Sequence, residues 1–404
     1  MRIIVQKFGG TSVATQDKRL LAIEHIKDAV KDGYHVVVVV SAMGRKGDPY
    51  ATDTLLGLLD SAEHCAKREK DLLMSCGEII SAVVFSSLLT EKGYDNCVLT
   101  GAQAGILTND DHSNAQIITV TPDRILKELE EGKVVIVAGF QGAAGNGDIT
   151  TLGRGGSDTT ATALGVALNA EVVDIFTDVD GIMTADPRIV DDAKKLRTVT
   201  YAEICNLAYS GAKVIHPRSV EIAMQKNIPV RVRSTMSKDP GTLIISQAEN
   251  DRMEPRSFKD QVLTGITQTA NITQLKVDCA PTGGNQLKVF KAMADNQISV
   301  DFISVTPTGV AFTVSNEDVE KAVGVLLDLG FQPEVLSNCA KVSAVGAGIA
   351  GVPGVMATIL EALTAEGIEV LQSADSHTTI WCLVREEDMV KAVRALHRKF
   401  KLHA

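Results

Sequence analysis

A chain of 404 residues, 45% apolar and 22% charged, holds enough material for two or three globular domains with substantial cores. Its formal net charge of −10 argues against a general nucleic-acid binder, which carries a basic face, so an anionic substrate must be held by a few local cations and backbone N–H groups. The seven cysteines (65, 76, 97, 205, 279, 339, 382) form no C-x-x-C pair, which disfavours a disulfide framework or a zinc site and fits reduced thiols in a cytoplasmic protein.

The N-terminus, MRIIVQKFGG, has no apolar leader, and no run approaches about 18 consecutive apolar residues, so neither secretion nor membrane spanning is expected. Apolar β-branched runs at 3–5, 36–40, 98–100, 134–138 and 172–176 predict buried strands. The stretches 18–31, 70–90, 122–131 and 158–169 predict helices between them. This βαβα order predicts an α/β fold with a mostly parallel sheet and helices on both faces. Residues 247–261 (QAENDRMEPRSFKDQ) are polar, contain Pro255 and read as a linker.

The remainder repeats itself. An offset of 70 aligns Ala292 with Ala362, Ile298 with Ile368, Val300 with Val370 and Lys321 with Lys391. Each copy, 262–337 and 338–404, reads strand, loop, helix, strand, strand, helix, with room for a closing strand. That is the ferredoxin-like βαββαβ order.

Three segments carry phosphate chemistry. Lys7-Phe8-Gly9-Gly10-Thr11-Ser12 follows a strand; its glycines let the chain pass close to an anion, and Lys7 can neutralise a phosphoryl group. The same residues also suit a tight turn with a solvated lysine. No G-x-x-x-x-G-K-[ST] occurs, so this is not a P-loop. TLGRGGSDTT (151–160) sets an arginine among three glycines before an Ala-rich helix. Arg154 can grip a carboxylate in bidentate fashion, and Ser157 or Asp158 can cap the helix. DIFTDVDGIMTADPR (174–188) runs a buried strand into an acidic loop that can orient a nucleotide or water around Mg²⁺, although Asp, Gly and Pro also form ordinary turns. Two lesser stretches are Ser41-Ala42-Met43-Gly44 and Ser75-Cys76-Gly77-Glu78, the latter read as opening a helix from Ile79.

In this order, with GFQG (139–142), GAKVIHPRS and VRVRS (230–234), the pieces resemble the aspartate kinases of the amino acid kinase superfamily from end to end. The resemblance implies an open α/β sandwich over 1–246, with ATP and the acceptor at the C-terminal ends of the strands, followed by two ACT domains. It further implies that Lys7, Phe8, Gly9 and Gly10 bind the γ-phosphate, with Asp158 organising Lys7. Ser41, Thr52, Glu78, Arg154, Gly155, Gly156 and Ser157 then form the aspartate pocket. Thr177, Asp178, Met183, Arg188 and Lys213 contact the nucleotide; many relatives carry Tyr where this chain has Met183. ATP would arrive with Mg²⁺, without a dedicated protein metal site.

The resemblance also implies feedback inhibition by an end product of the aspartate pathway, diaminopimelate ahead of lysine or threonine. It implies a homo-oligomer, at least a dimer, built through the ACT domains. The effector is expected where a first-strand loop meets the next helix. In the first copy the loop is 279–286, with Asp301 nearby; in the second it is 346–354, with Gln372 and Asp375 beyond. Competing readings are another amino acid kinase acting on a different carboxylate, a sensor without catalysis, and a dinucleotide oxidoreductase suggested by the G-x-G-x-x-G at 346–351. A lone fingerprint of that kind is weak, and Pro353-Gly354 interrupts what would follow it.

Overall fold

A computed structural model describes residues 1–61, 64–212, 214–253, 262–279 and 285–403. They pack as two units. The first gathers Met1–Ile182, Lys195–Ala208 and the described residues of 214–253. The second gathers Met183–Lys194, Tyr209–Ala212 and the described residues from 262 onward.

The first unit begins with β1 (Ile3–Phe8), the short α1 (Gly10–Val13), α2 (Gln16–Lys31), β2 (His35–Val40), α3 (Thr52–Leu56) and α4 (Lys67–Glu91). There follow β3 (Asn96–Leu99), β4 (Ile106–Thr108), β5 (Ile117–Val120), α5 (Asp123–Glu130), β6 (Val134–Ala138), β7 (Gln141–Ala144), β8 (Ile149–Thr151) and α6 (Gly156–Ala167). It ends with β9 (Val172–Thr177), β10 (Thr198–Thr200), α7 (Tyr201–Tyr209), α8 (Pro217–Met224), β11 (Val230–Ser234), β12 (Thr242–Ile245) and α9 (Gln247–Met253).

Eight strands form one sheet in the order β10-β12-β11-β9-β1-β2-β6-β3, parallel throughout except for β11 with β12. The predicted α/β class is therefore observed. Both faces of the central strands are covered, which is why 36–40 is an unbroken valine run rather than an alternating pattern. Ile4, Phe8, Val36 and Val38 pack against Ile23 and Ile26 of α2 and Phe85 and Leu89 of α4; α6 lies against β1, β2 and β9. The register sets Phe8 beside Val40 and Phe176, and Val40 beside Ala138. The four central strands thus end level, and their following loops share one edge. The sequence pattern did not reveal the small second sheet, β5-β4-β7-β8, which feeds β8 into the 153–156 loop.

Two local expectations need correction. Ser75–Glu78 does not open a helix; it lies inside α4, where Gly77 permits close approach because a Cβ there would sit 2.9 Å from the Ala42 Cβ. The expected linker begins as α9, a helix of about two turns, while 254–261 lies outside the described residues. Among the described residues α4 is long and apolar enough to cross a membrane, but half of its apolar window is buried, with Phe85 and Leu89 in the core.

The second unit contains β13 (Gly265–Asp278), α10 (Asn285–Asp295), β14 (Asp301–Thr306), β15 (Gly309–Ser315), α11 (Val319–Asp328), β16 (Glu334–Val345), α12 (Val355–Ala365), β17 (Gln372–Asp375), β18 (Thr379–Arg385) and α13 (Met389–Lys399). One six-stranded antiparallel sheet runs β14-β15-β13-β16-β18-β17. Its two halves are the two repeats, and each long central strand serves both. Residues 334–336 close the first copy against 274–276, while Gly265 to Thr269 pairs with Val345 to Lys341 and closes the second. The closing strand of the second copy therefore comes from the start of the first copy, ahead of that copy's own pairing region. Asn271 and Asn338, with φ of 59° and 56°, mark the crossovers, as suits a residue tolerant of the left-handed region. α10 and α11 cover the first core around Phe312 and Leu326, and α12 and α13 cover the second around Ile359 and Leu396. Ala185 and Val190, from Met183–Lys194, join the second core. A Cβ on Gly346 would meet Val262 O at 2.2 Å, so the first glycine of the G-x-G-x-x-G serves backbone packing.

Candidate active site

β1 delivers Lys7 to the shared edge. Its Nζ lies 2.6 Å from Asp158 Oδ1 in the first turn of α6, with both side chains largely buried. Gly10 is where the loops after β1 and β2 touch: a Cβ there would fall 2.6 Å from Gly44 O and 2.7 Å from Ala42 O. A Cβ on Gly9 would stand 3.4 Å from Lys7 Nζ, so the glycine keeps space open beside the ammonium. Phe8 departs from its expected ligand role. Its ring is fully buried, stacked on Phe176 at 4.7 Å between centroids, which leaves only its backbone to the site.

Behind β2, the Ser41 N–H donates to Phe8 O at 3.1 Å, and the Ala42 N–H donates to Glu78 Oε1 at 3.0 Å. Glu78 is 2% exposed, and its Oε2 has no partner. Burial pushes its carboxyl up to about 8. Thr52 opens α3 and is half-buried. Gly155, with φ of 71°, forms the N-cap of α6; a Cβ there would strike His216 Cβ at 2.4 Å. Neither Ser157 nor Asp158 caps the helix, because the left-handed Gly155 occupies that position and Asp158 turns to Lys7. Gly156 packs under Phe140, and Ser157 is buried against Gly139 after β6. Arg154 is exposed, and among the described residues no side chain pairs with its guanidinium.

Local patterns missed several residues that shape this edge. Asp71, fully buried on α4, accepts from the Thr151 N–H (3.0 Å) and Oγ1 (2.6 Å) and from the Ser113 N–H (3.0 Å) and Oγ (3.2 Å), and lies 2.9 Å from His112 Nδ1. Arg218 donates to Leu152 O at 2.9 Å and Ala115 O at 2.8 Å. Together they brace the chain entering Gly153–Gly156. His216, its pKa lowered by burial, has an unpartnered Nδ1 behind Gly155. Under β9, the buried Asp174 takes a fork from Arg231 at 2.8 and 2.9 Å. Only the HPRS and VRVRS strings hinted at Arg218 and Arg231.

The expected nucleotide residues divide. Thr177 ends β9 and donates to Asp178 Oδ1 at 3.2 Å, while Asp178 Oδ2 accepts from Arg45 at 2.7 Å. Met183 and Arg188 fall in the second unit, where Arg188 forks onto Asp186 at 3.0 and 2.7 Å and holds that carboxyl below its usual value. Lys213 lies outside the described residues. Of the expected effector residues, Asp301 pairs with the buried Lys341. Gln372 accepts from Gln274 at 2.6 Å and donates to Phe302 O at 2.8 Å, so its side chain links β17 to residues of β13 and β14. Asp375 stands apart, lining a cavity of about 480 Å³ with Ile349, Gly351, Ser376 and His377. Most of loop 279–286 lies outside the described residues.

The amino acid kinase family model matches residues 2–234, and an ACT domain model matches 334–398. Aspartokinase 1 of Bacillus subtilis (strain 168) is 58% identical over 404 residues, with all of both chains covered. An aspartokinase of Geobacillus stearothermophilus is 42% identical over 412 residues, covering 100% of this chain and 98% of that one. Among solved structures, E. coli aspartokinase III in complex with aspartate and ADP (R-state) superposes with a TM-score of 0.79 at 27% identity, covering 98% and 99% of the two chains. The same enzyme with lysine and aspartate (T-state) gives 0.77 at 28% identity, again covering 98% and 99%.

Proposed function

The chain belongs to the amino acid kinase family, among its aspartokinases, and from that premise we propose how its own residues carry out aspartate phosphorylation. It is an aspartate kinase that uses a nucleotide. In the reaction, the β-carboxylate of L-aspartate attacks the γ-phosphorus of ATP and ADP leaves, giving 4-phospho-L-aspartate. This is the first step toward diaminopimelate, lysine, threonine and methionine. An ionised carboxylate, with a reference pKa near 4, needs no general base.

The difficulty is charge. Two like unit charges about 4 Å apart repel by about 1 kcal/mol in water and about 4 kcal/mol at an effective dielectric near 20. Lys7 offsets that repulsion and stabilises the phosphoryl oxygens in flight, and Asp158 holds its ammonium in place. Gly9 and Gly10 admit the γ-phosphate. Mg²⁺, carried on the nucleotide, would supply further charge neutralisation. Arg154 grips the α-carboxylate in the pocket of Ser41, Thr52, Gly155, Gly156 and Ser157, and Glu78 takes the α-ammonium through its unpartnered Oε2. Thr177, Asp178, Met183, Arg188 and Lys213 stand as proposed nucleotide contacts, on the family resemblance.

One observation carries the reading: the 2.6 Å Lys7–Asp158 pair on the edge where the four central strands end level. Hydroxylamine trapping across a panel of acceptors tests it. An acyl hydroxamate should form with aspartate and ATP, and its absence would sink the assignment.

Regulation is proposed through the paired ACT domains of 262–337 and 338–404, with diaminopimelate ahead of lysine or threonine. The E. coli structure named above was solved with lysine. Asp375, on its cavity, is the best supported of the three effector residues, since Asp301 and Gln372 already hold protein partners. The outer strand β14 exposes Ile303 and Val305, which supports a homodimer or larger assembly through this edge. A cytoplasmic location is proposed, supported by a reaction that consumes ATP and aspartate. If none of the three amino acids changes activity at millimolar levels, the sensing role fails.

A further inference from the structure

The second unit holds a cluster that the kinase reaction does not use. His397, in the last turn of α13, is fully buried. Its Nε2 lies 2.9 Å from Thr184 Oγ1, while its Nδ1 is buried without a hydrogen-bond partner. That Nδ1 faces Asp192 Oδ1 at 3.8 Å. The His403 ring lies beside it, 6.2 Å between centroids, and one donor atom from each of Asp192, His397 and His403 falls within 4.8 Å of the others. Asp192 and His403 are exposed, so the cluster opens to solvent on one side.

A buried imidazole nitrogen without a partner is costly unless something occupies it. A neutral imidazole, a second imidazole and a carboxylate are the donor set of borderline divalent ions. Tetrahedral bonds of about 2.0 Å put ligand atoms about 3.3 Å apart, so the 3.8 Å between Nδ1 and Oδ1 needs a shift of only a few tenths of an ångström. Thr184 supplies what a metal-binding histidine requires on its far side. Its hydroxyl can accept the Nε2 proton, which leaves the Nδ1 lone pair for the ion. Asp191 and Asp192 share a cavity of about 420 Å³ with Arg394 and Arg398, and those arginines are already engaged by Ile189 O and Glu366.

We infer that Asp192, His397 and His403 form a binding site for a divalent transition-metal ion of the zinc and cobalt class, pinning the Met183–Lys194 segment to the end of α13. This inference does not depend on the reading of the kinase site.

The test uses the full-length chain, stripped by chelator and free of nucleotide, titrated with Co²⁺ alone by calorimetry and visible absorption. One equivalent should bind with the intense absorption of a low-symmetry, four-coordinate cobalt centre. His403→Ala and Asp192→Asn alter exposed residues and should keep the native circular dichroism. Each should weaken Co²⁺ binding at least tenfold and remove the absorption band. No stoichiometric binding by the wild-type chain would overturn the inference. So would affinity within tenfold of wild type in both variants.

Discussion

With Glu78 taking the α-ammonium as proposed, the acceptor site is sensitive to protons in a way that can be worked out in advance. In the free protein its carboxyl is pushed up to about 8 by burial, against an ordinary value near 4.3. At pH 7 about nine molecules in ten therefore carry a proton there. The α-ammonium of aspartate requires the ionised form, so binding must expel that proton. The apparent dissociation constant then scales as 1 + 10^(8 − pH). It should fall about ninefold from pH 6 to 7, about fivefold from 7 to 8, and level off above. Each full tenfold corresponds to about 1.4 kcal/mol. Calorimetry of aspartate binding at pH 7, in buffers of different ionisation enthalpy, should register release of about 0.9 proton. Glu78→Gln, which fits the same space, should bind aspartate weakly with no pH slope between 6 and 8. A flat profile in the wild type, or an unchanged slope in Glu78→Gln, would refute the assignment. Stability follows the same group with a definite sign. The folded pKa is raised, so this contribution is fully present below about 4.3 and is lost as pH rises through about 8, at up to about 1.4 kcal/mol per pH unit.

Lys7→Ala should lower kcat by about two to three orders of magnitude, the usual worth of one preorganised charge at a reacting phosphate. Turnover within tenfold of wild type would remove Lys7 from the phosphoryl group. Arg154→Lys keeps the charge but loses the planar fork, so KM for aspartate should rise much more than KM for ATP, and equal rises would place Arg154 elsewhere. Asp71→Ala leaves the buried donors of Thr151 and Ser113 unsatisfied. It should cost about 3 kcal/mol or more in denaturant unfolding and raise KM for aspartate through the loosened 153–156 loop, and a loss under about 1 kcal/mol would mean water replaces the carboxylate without strain.

Five strands of the central sheet were legible because they are short, unbroken apolar runs; the observed bounds differ from the sequence reading by at most three residues, and 134–138 matches. The glycine loops were legible for a related reason: each marks a close approach, such as Gly10 on Ala42 O or Gly155 on His216. What the sequence could not display is which loops meet. Lys7 and Asp158 are far apart in the chain, as are Asp71 and Thr151 or Arg218 and Ala115, and no local rhythm links members of such pairs. Glu78 shows the opposite failure. Ser-Cys-Gly-Glu has the composition of a helix start, yet α4 was already running, and the glycine serves contact with Ala42.

The repeats were legible as copies but not as a joined sheet, and the joining bears on the proposed regulation. A repeat detected by offset invites the assumption that each copy is closed by its own next strand. Here β13 and β16 each run through both copies, so a shift in one copy is imposed on the ladder of the other. The same strand reaches further, because the Ile266 N–H donates to Thr184 O at 2.8 Å. Thr184 adjoins Met183, in the segment assigned here to the nucleotide. A continuous ladder therefore runs from the Asp375 cavity through β18, β16 and β13 to that segment. Continuity alone transmits nothing; an element with two arrangements is needed. The register shifts between Thr269 and Gln274 are the places where this ladder already changes step. On the proposed regulation, their residues, rather than the strand centres, are where an effector's differential contacts would be converted into a change at Thr184.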